Sequence, residues 1–167
     1  MTPSLPRRRP GRRQLFALAA AVVLVAVDQL SKHWAVNQLA DGRVQPLIPG
    51  LLQLRLAYNT GAAFSLFTGA TWALGVVSLL VAIGLVVWLL SQPRMGAWQM
   101  AGAAVLLGGA AGNGIDRWRL RAVVDFLEFV PVSFPVFNLA DVAINVAVVC
   151  FALDLLRSRN GRSRTTA

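Results

Sequence analysis

Seven acidic residues stand in a chain of 167 that is 56% hydrophobic. Four of them, Asp28, Asp116, Asp125 and Asp141, occupy places where a carboxylate needs either a partner or a task. The segment FPVFNLADVAINVAVVCFALDLL is an apolar run interrupted by Asn138, Asp141 and Asn145. Their i, i+3, i+7 spacing puts all three on one side of a helix. That side must face protein or water, because an aspartate at mid-helix in lipid costs about 2.5–3.5 kcal/mol. Two aspartates held close together do not both ionise cheaply, so they share a proton. One then acts as general base on a water while the other donates a hydrogen bond to a scissile carbonyl. Hydrolysis by this route needs no covalent intermediate. The chemistry alone admits any two of the four, and a polar seam joining helices is the structural alternative for the Asn138, Asp141 and Asn145 face.

Other chemistries have few residues to work with. His33 is the single histidine and Lys32 the single lysine. A Ser-His-Asp triad would have to be built on His33, at a crowded helix end. A metal site would hold one histidine and carboxylates, a poor set for zinc, so neither metal nor cofactor is expected. A Ser/Lys dyad of Lys32 with Ser65 or Ser31 remains open, and no G-x-x-x-x-G-K phosphate loop is present. Asp28 and Lys32 are spaced i, i+4 with the acid first, which suits a helix ion pair with Lys32 reaching toward the interface. Asp41, Glu128 and Asp154 read as solvated charges. Cys150 is the lone cysteine, which excludes an intramolecular disulfide.

The elements that carry these residues belong to a membrane. Charged residues make up 14% of the chain and its mean hydropathy is +0.61. Four spans are expected at 14–34, 70–90, 98–115 and 136–156, each close to the ~20 residues that cross a bilayer core. The third, with AGAAVLLGGAAG, is rich in small residues and reads as a closely packed central helix. The net charge of +9 sits mostly in RRRPGRR and RSRNGRSR at the two ends. This is the positive-inside pattern and not a nucleic-acid arm. With Arg94 in the link between spans two and three, it directs both termini to the cytoplasm. One domain, 14–156, is therefore expected between basic arms 1–13 and 157–167, with segments 35–69 and 116–135 outside. RRQLF and the apolar stretch after it faintly resemble an export signal, but the run continues into DQLSKHWA without a small-residue cleavage site, so an uncleaved first span is expected.

The outer segments carry their own pattern. LLQLRLAY alternates as a half-buried strand, Asn59 and Gly61 mark a turn, and VVDFLEFV is a second extended piece. The expected fold is mainly α, with four transmembrane helices and a small extracytoplasmic β-sheet on the outer membrane surface. In this topology Asp28 lies near the outer end of span one and Asp116 just beyond span three. Asp141 lies about 7–8 Å into span four. All four acids then converge at the outer boundary of the hydrocarbon, where a transporter would spread its acids through the membrane.

Five motifs in this order, VDQLSKHWA, YNTGAAFS, GGAAGNGIDR, VVDF and FNLAD, resemble the lipoprotein signal peptidases, the type II signal peptidases, over residues 27–148. The resemblance implies an aspartic endopeptidase of the bacterial cytoplasmic (inner) membrane. It would remove the signal peptide from a prolipoprotein, cutting before a cysteine that carries a diacylglyceryl group. It implies Asp125 and Asp141 as the catalytic pair. Asn113 and Asn138 would be the amides beside it, and Asn59 and Arg117 substrate contacts, with Gly61 allowing close backbone approach. Asp116 is expected to partner Arg117, while Asp28 and Lys32 support the site. Gly114 departs from the pattern, where a larger apolar residue is expected. The partners implied are prolipoproteins and membrane lipids, with no nucleic acid and no cofactor, and a monomer suffices. Phe64, Phe67 and Trp72 fit the interface, as anchors or as part of a clamp. The competing readings are a small transporter using Asp28 or Asp141 and a non-enzymatic scaffold. A substrate lipoprotein does not fit, because Cys150 does not follow the first apolar segment.

Overall fold

The computed structural model describes residues 10–61, 69–92 and 94–163, with backbone alone for 159–163. The described residues form, in chain order, α1 (Arg12–Leu39), β1 (Gln45–Ile48), β2 (Leu52–Asn59), α2 (Thr71–Ser91), α3 (Ala97–Leu120), β3 (Val123–Phe129) and α4 (Leu139–Ser163). Three of the helices are long and apolar enough to cross a membrane: α1, α2 and Leu139–Ser158 of α4. Their outward sides carry Phe16, Val22, Leu30, Leu80, Val87, Val148 and Leu155, all exposed. Large apolar side chains on the outside of a bundle are what lipid, and not water, would cover. Helix α3 has 24 residues, enough in length, but Asn113, Asp116, Arg117 and Arg119 make it less apolar than its neighbours.

Helix α3 packs against each of the other three, and its glycines explain how. A Cβ on Gly108 would come within 2.7 Å of Leu24, and one on Gly112 within 2.5 Å of the Asp28 carboxylate, both on α1. A Cβ on Gly102 would meet the Phe151 ring at 2.9 Å, and one on Gly109 the Ala140 carbonyl at 2.6 Å, both on α4. Gly114 faces Ser78 of α2, where a Cβ would fall 3.1 Å from the serine Cβ. The departure at Gly114 is thus a close approach between α2 and α3. Small residues at these points bring backbones together, the packing that serves where water does not drive helices into contact.

The sheet has the order β1-β2-β3, antiparallel throughout. Leu52 pairs with Phe129, Ala57 with Asp125 and Asn59 with Val123, with an irregularity between Leu54 and Ala57. Ala35 and Leu39 of α1 cluster with Leu54, Phe126 and Leu127, fastening the sheet to the end of α1. The chain leaves β3, returns through a bridge between Leu127 and Phe137, and enters α4.

Several element ends differ from the expected spans. Helix α1 runs on to Leu39 because its last turns pack under the sheet instead of ending in solvent. Helix α3 continues to Leu120, so Asp116 and Arg117 lie on the helix and not in the segment after it. It stops at Arg121, whose φ of 59° is a left-handed C-cap. Strand β1 has no counterpart in the alternation seen by eye. Residues 1–9 of the basic arm, Ser65, and the aromatics Phe64 and Phe67 lie outside the described residues.

Candidate active site

The first turn of α4 builds one half of the site. Asn138 precedes the helix, and its Oδ1 accepts the Asp141 N–H at 2.9 Å while the Asp141 Oδ2 accepts the Asn138 N–H at 3.2 Å. This is a reciprocal capping box with aspartate in the acidic position. The i, i+3 spacing of these two residues therefore serves the helix end. The helix begins at Leu139, so Asp141 belongs to its first turn, where the helix dipole favours negative charge, and not about 7–8 Å along it. Asn145 lies one turn further, donating to the Asp141 carbonyl at 2.9 Å.

Strand β3 supplies the other half. Asp125, 2% exposed, receives a hydrogen bond of 2.6 Å on Oδ1 from the Nδ2 of Asn138, which is fully buried. The same amide reaches Asn113 Oδ1 at 3.1 Å and the Val124 carbonyl at 3.3 Å. Asn113 in turn donates from Nδ2 to Asp141 Oδ1 at 2.8 Å. Each aspartate is thus held by an asparagine, and the two asparagines are bonded to each other. Burial above all, and then the negative charge of Asp141, push the Asp125 carboxyl up to about 7, against hydrogen bonds from Asn138 and Asn59 and the charge of Lys32.

Behind the pair lies a buried ionic cluster. Lys32, 3% exposed, sits 2.9 Å from Asp28 Oδ2, 3.0 Å from Asp116 Oδ2 and 2.9 Å from Asn113 Oδ1. Three acceptors use its three N–H bonds. Asp28 Oδ1 accepts the Ala140 N–H of α4 at 3.0 Å, and Asp116 Oδ2 accepts the Val124 N–H of β3 at 3.1 Å. Gln29 bridges Asp116 Oδ1 at 2.9 Å, Asp28 Oδ2 at 3.3 Å and the Gly112 carbonyl at 3.2 Å. The cluster ties α1, α3, β3 and α4 together at the level of the pair. Two expectations change here. Lys32 is enclosed and does not reach out to the interface, and Asp116 partners Lys32 and Gln29 instead of Arg117. Gln29 stands inside the VDQLSK stretch, and its uncharged amide gives no sequence signal of these contacts.

Arg117 occupies the other side of the pair. Its Nη1 reaches Ser78 Oγ at 3.4 Å and its Nη2 the Gly61 carbonyl at 3.5 Å, both long, and its buried Nε has no partner among the described residues. Asp141, Asp125 and Asp116 all act on it electrostatically. Asn59 Oδ1 accepts the Gly61 N–H at 2.9 Å, the turn expected there, and the Asn59 side chain also bonds Asp125. A cleft of about 260 Å³ is lined by 57–61, Asp125, Pro135 and Val136. Asp125, Asn59 and Gly61 therefore share one cavity.

The remaining candidates fall elsewhere. Asp41 is exposed, and hydrogen bonds from Arg43 hold its carboxyl down at about 2. Glu128 meets Arg55 at 2.8 Å and Gln53 at 2.8 Å across the sheet. Asp154 is half-buried beside Gly96, at the start of α3, so it is less solvated than expected. Ser31 donates to the Asp28 carbonyl at 2.7 Å, and Lys32 is fully engaged, so these two do not form a dyad. His33 pairs with Asn37 on the exposed side of α1.

Long apolar helices gathered around buried acids and amides define a membrane enzyme. The sequence model of one family, Signal peptidase (SPase) II, matches residues 20–157. The chain is 53% identical over 159 residues to a lipoprotein signal peptidase of Parasynechococcus marenigrum (strain WH8102), covering 95% of this chain and 96% of the relative. It is 53% identical over 148 residues to a lipoprotein signal peptidase of Synechococcus sp. (strain RCC307), covering 88% and 98%. A solved bacterial membrane enzyme, determined by the in meso method at 2.3 Å resolution, has a TM-score of 0.80 at 26% identity, over 87% of this chain and 90% of that one. The chain belongs to the signal peptidase II family, the membrane proteases of lipoprotein processing.

Proposed function

We propose that the chain is an aspartic endopeptidase that removes signal peptides from diacylglyceryl-modified prolipoproteins, cutting before the lipidated cysteine, with Asp125 and Asp141 as its catalytic pair. The observation that carries this reading is the asparagine bridge, which holds the two carboxylates on separate elements while the charge of Asp141 raises the carboxyl of Asp125. With one proton between them, the ionised member takes a proton from water as that water attacks the scissile carbonyl. The neutral member donates a hydrogen bond to the carbonyl oxygen, and the proton then passes to the leaving amine. Asn113 and Asn138 keep both carboxylates in place through the cycle. Arg117, whose Nε has no partner among the described residues, and Asn59 with Gly61 in the cleft, bind substrate backbone. Asp28, Lys32 and Asp116 are support.

In this reading α3 crosses the membrane with the other three helices, the basic ends 1–13 and 157–167 lie in the cytoplasm, and the sheet rests on the outer surface of the bacterial inner membrane. The signal helix and its lipid enter sideways from the bilayer, and a single copy of the chain suffices. The test is cleavage of a diacylglyceryl-modified prolipoprotein, followed by gel shift, by purified Asp125→Asn and Asp141→Asn variants. These substitutions keep size and remove charge. Both variants fold and neither cleaves if the pair is catalytic. Near-normal cleavage by either removes that residue from the mechanism.

A further inference from the structure

Helix α4 presents three kinds of surface. Ala140, Ala143, Ala147 and Cys150 are buried, on the side that meets α3. Leu139, Val142 and Val146 line an apolar groove with Leu24 and Val27 of α1. The third side begins at Asp141 and continues, one turn or about 6 Å inward, to Asn145, which is exposed. Helix α2 packs on α3 and makes no comparable interface with α4, so this side is left open to the bilayer.

An amide is out of place there. Val142, Val146, Val148 and Val149 around it are exposed apolar side chains. The Nδ2 of Asn145 donates one bond back to the Asp141 carbonyl, which leaves its Oδ1 and one N–H uncommitted among the described residues. An unpaired amide in an apolar medium costs roughly 2–7 kcal/mol, and polar residues within spans mark partners or pathways. Among the described residues the partner is not another helix of this chain.

We propose that Asn145 binds the backbone of the extended stretch of signal peptide just before the scissile bond. This rests on the proposed function. A signal peptide crosses the bilayer as a helix that satisfies its own backbone, but the residues entering a protease site must unwind. Each unwound residue then frees an N–H and a C=O where there is no water to receive them. An asparagine side chain offers both a donor and an acceptor. At about 3.3 Å per extended residue, the 6 Å between Asp141 and Asn145 assigns Asn145 to the second residue or so before the cut.

The test uses the full chain and synthetic diacylglyceryl-cysteine peptides in which each amide of the four residues before the cut is replaced in turn by an ester, removing one N–H. Asn145→Leu raises KM about tenfold with kcat little changed, the loss of about one hydrogen bond. It melts no lower than the original chain, since the change suits a lipid-facing position. The original chain loses about tenfold in kcat/KM for one ester near the second residue, and Asn145→Leu is indifferent to that ester while matching the original at the others. Asn145→Val, the second variant, repeats the pattern. An unchanged KM, or ester penalties equal in variant and original at every position, overturns the inference alone. If the original chain does not cleave the all-amide peptide, the proposed function falls and the inference with it.

Discussion

Replacing Lys32 by methionine keeps an unbranched side chain one atom shorter and removes its charge. Two buried carboxylates, Asp28 and Asp116, then lose the cation that lies 2.9 and 3.0 Å from them, and Asn113 loses a donor at 2.9 Å. Breaking a buried ion pair from one side costs about 3–5 kcal/mol, because the partner's charge stays buried. Here one cation serves two acids, which argues for the upper part of that range. In a chain of this size the cost corresponds to a fall in melting temperature of roughly 6–20 °C. Thermal unfolding of the purified protein in detergent, followed by circular dichroism, measures it. A second substitution, Asp28→Asn or Asp116→Asn, in the Lys32→Met background restores part of the loss by removing a stranded charge. Either asparagine keeps an oxygen that can accept the backbone N–H its aspartate holds, Ala140 for Asp28 and Val124 for Asp116. A loss under about 1 kcal/mol, the scale of a solvated surface pair, would refute the buried-cluster reasoning. So would double variants less stable than Lys32→Met alone.

Two further changes probe the helix ends and the packing. Asn138→Ala removes a cap of α4 worth about 1 kcal/mol together with the 2.6 Å bond that favours the ionised form of Asp125. The pH above which any residual cleavage declines therefore moves upward, and a rate profile shifted downward would contradict this. Gly112→Ala pushes a methyl group to 2.5 Å from an Asp28 oxygen that Lys32 already holds, so it destabilises by about 1–3 kcal/mol. Gly84→Ala on α2, with nothing within 4 Å, is neutral or gains about 0.5–1 kcal/mol in the same unfolding assay. Equal effects at the two glycines would refute the close-approach account of α3.

Much of the architecture was legible because it rests on period and composition. The apolar runs marked four helices, and the alternation of Leu52, Leu54 and Leu56 marked β2. The small residues of α3 foretold its central packing. Helix ends were less legible, since α1 and α3 continue past their apolar runs under the sheet, where tertiary contacts and not lipid sustain them. Strand β1 is four residues with Pro46 at the sheet edge, too short for a pattern to register. At the site, residue types and spacing singled out the acids, but not their partners. Asp116 bonds Gln29 from 87 positions away, and no local pattern reports such a contact. Asn138 and Asp141 match a capping box three residues apart, and the same spacing also fits a polar helix face, so the sequence alone does not separate the two.

The most direct test of the shared-proton pair is the pH dependence of kcat/KM for the unsubstituted chain acting on a diacylglyceryl-modified prolipoprotein. The raised carboxyl of Asp125, at about 7, stays protonated below that pH and supplies the pair's single proton. Hydrolysis needs one proton on the pair, which titrates as a unit, so the rate declines above about pH 7, approaching tenfold per unit. A rate that climbs through pH 7 and holds steady to pH 9 would mean that no proton is shared there, and would contradict the mechanism.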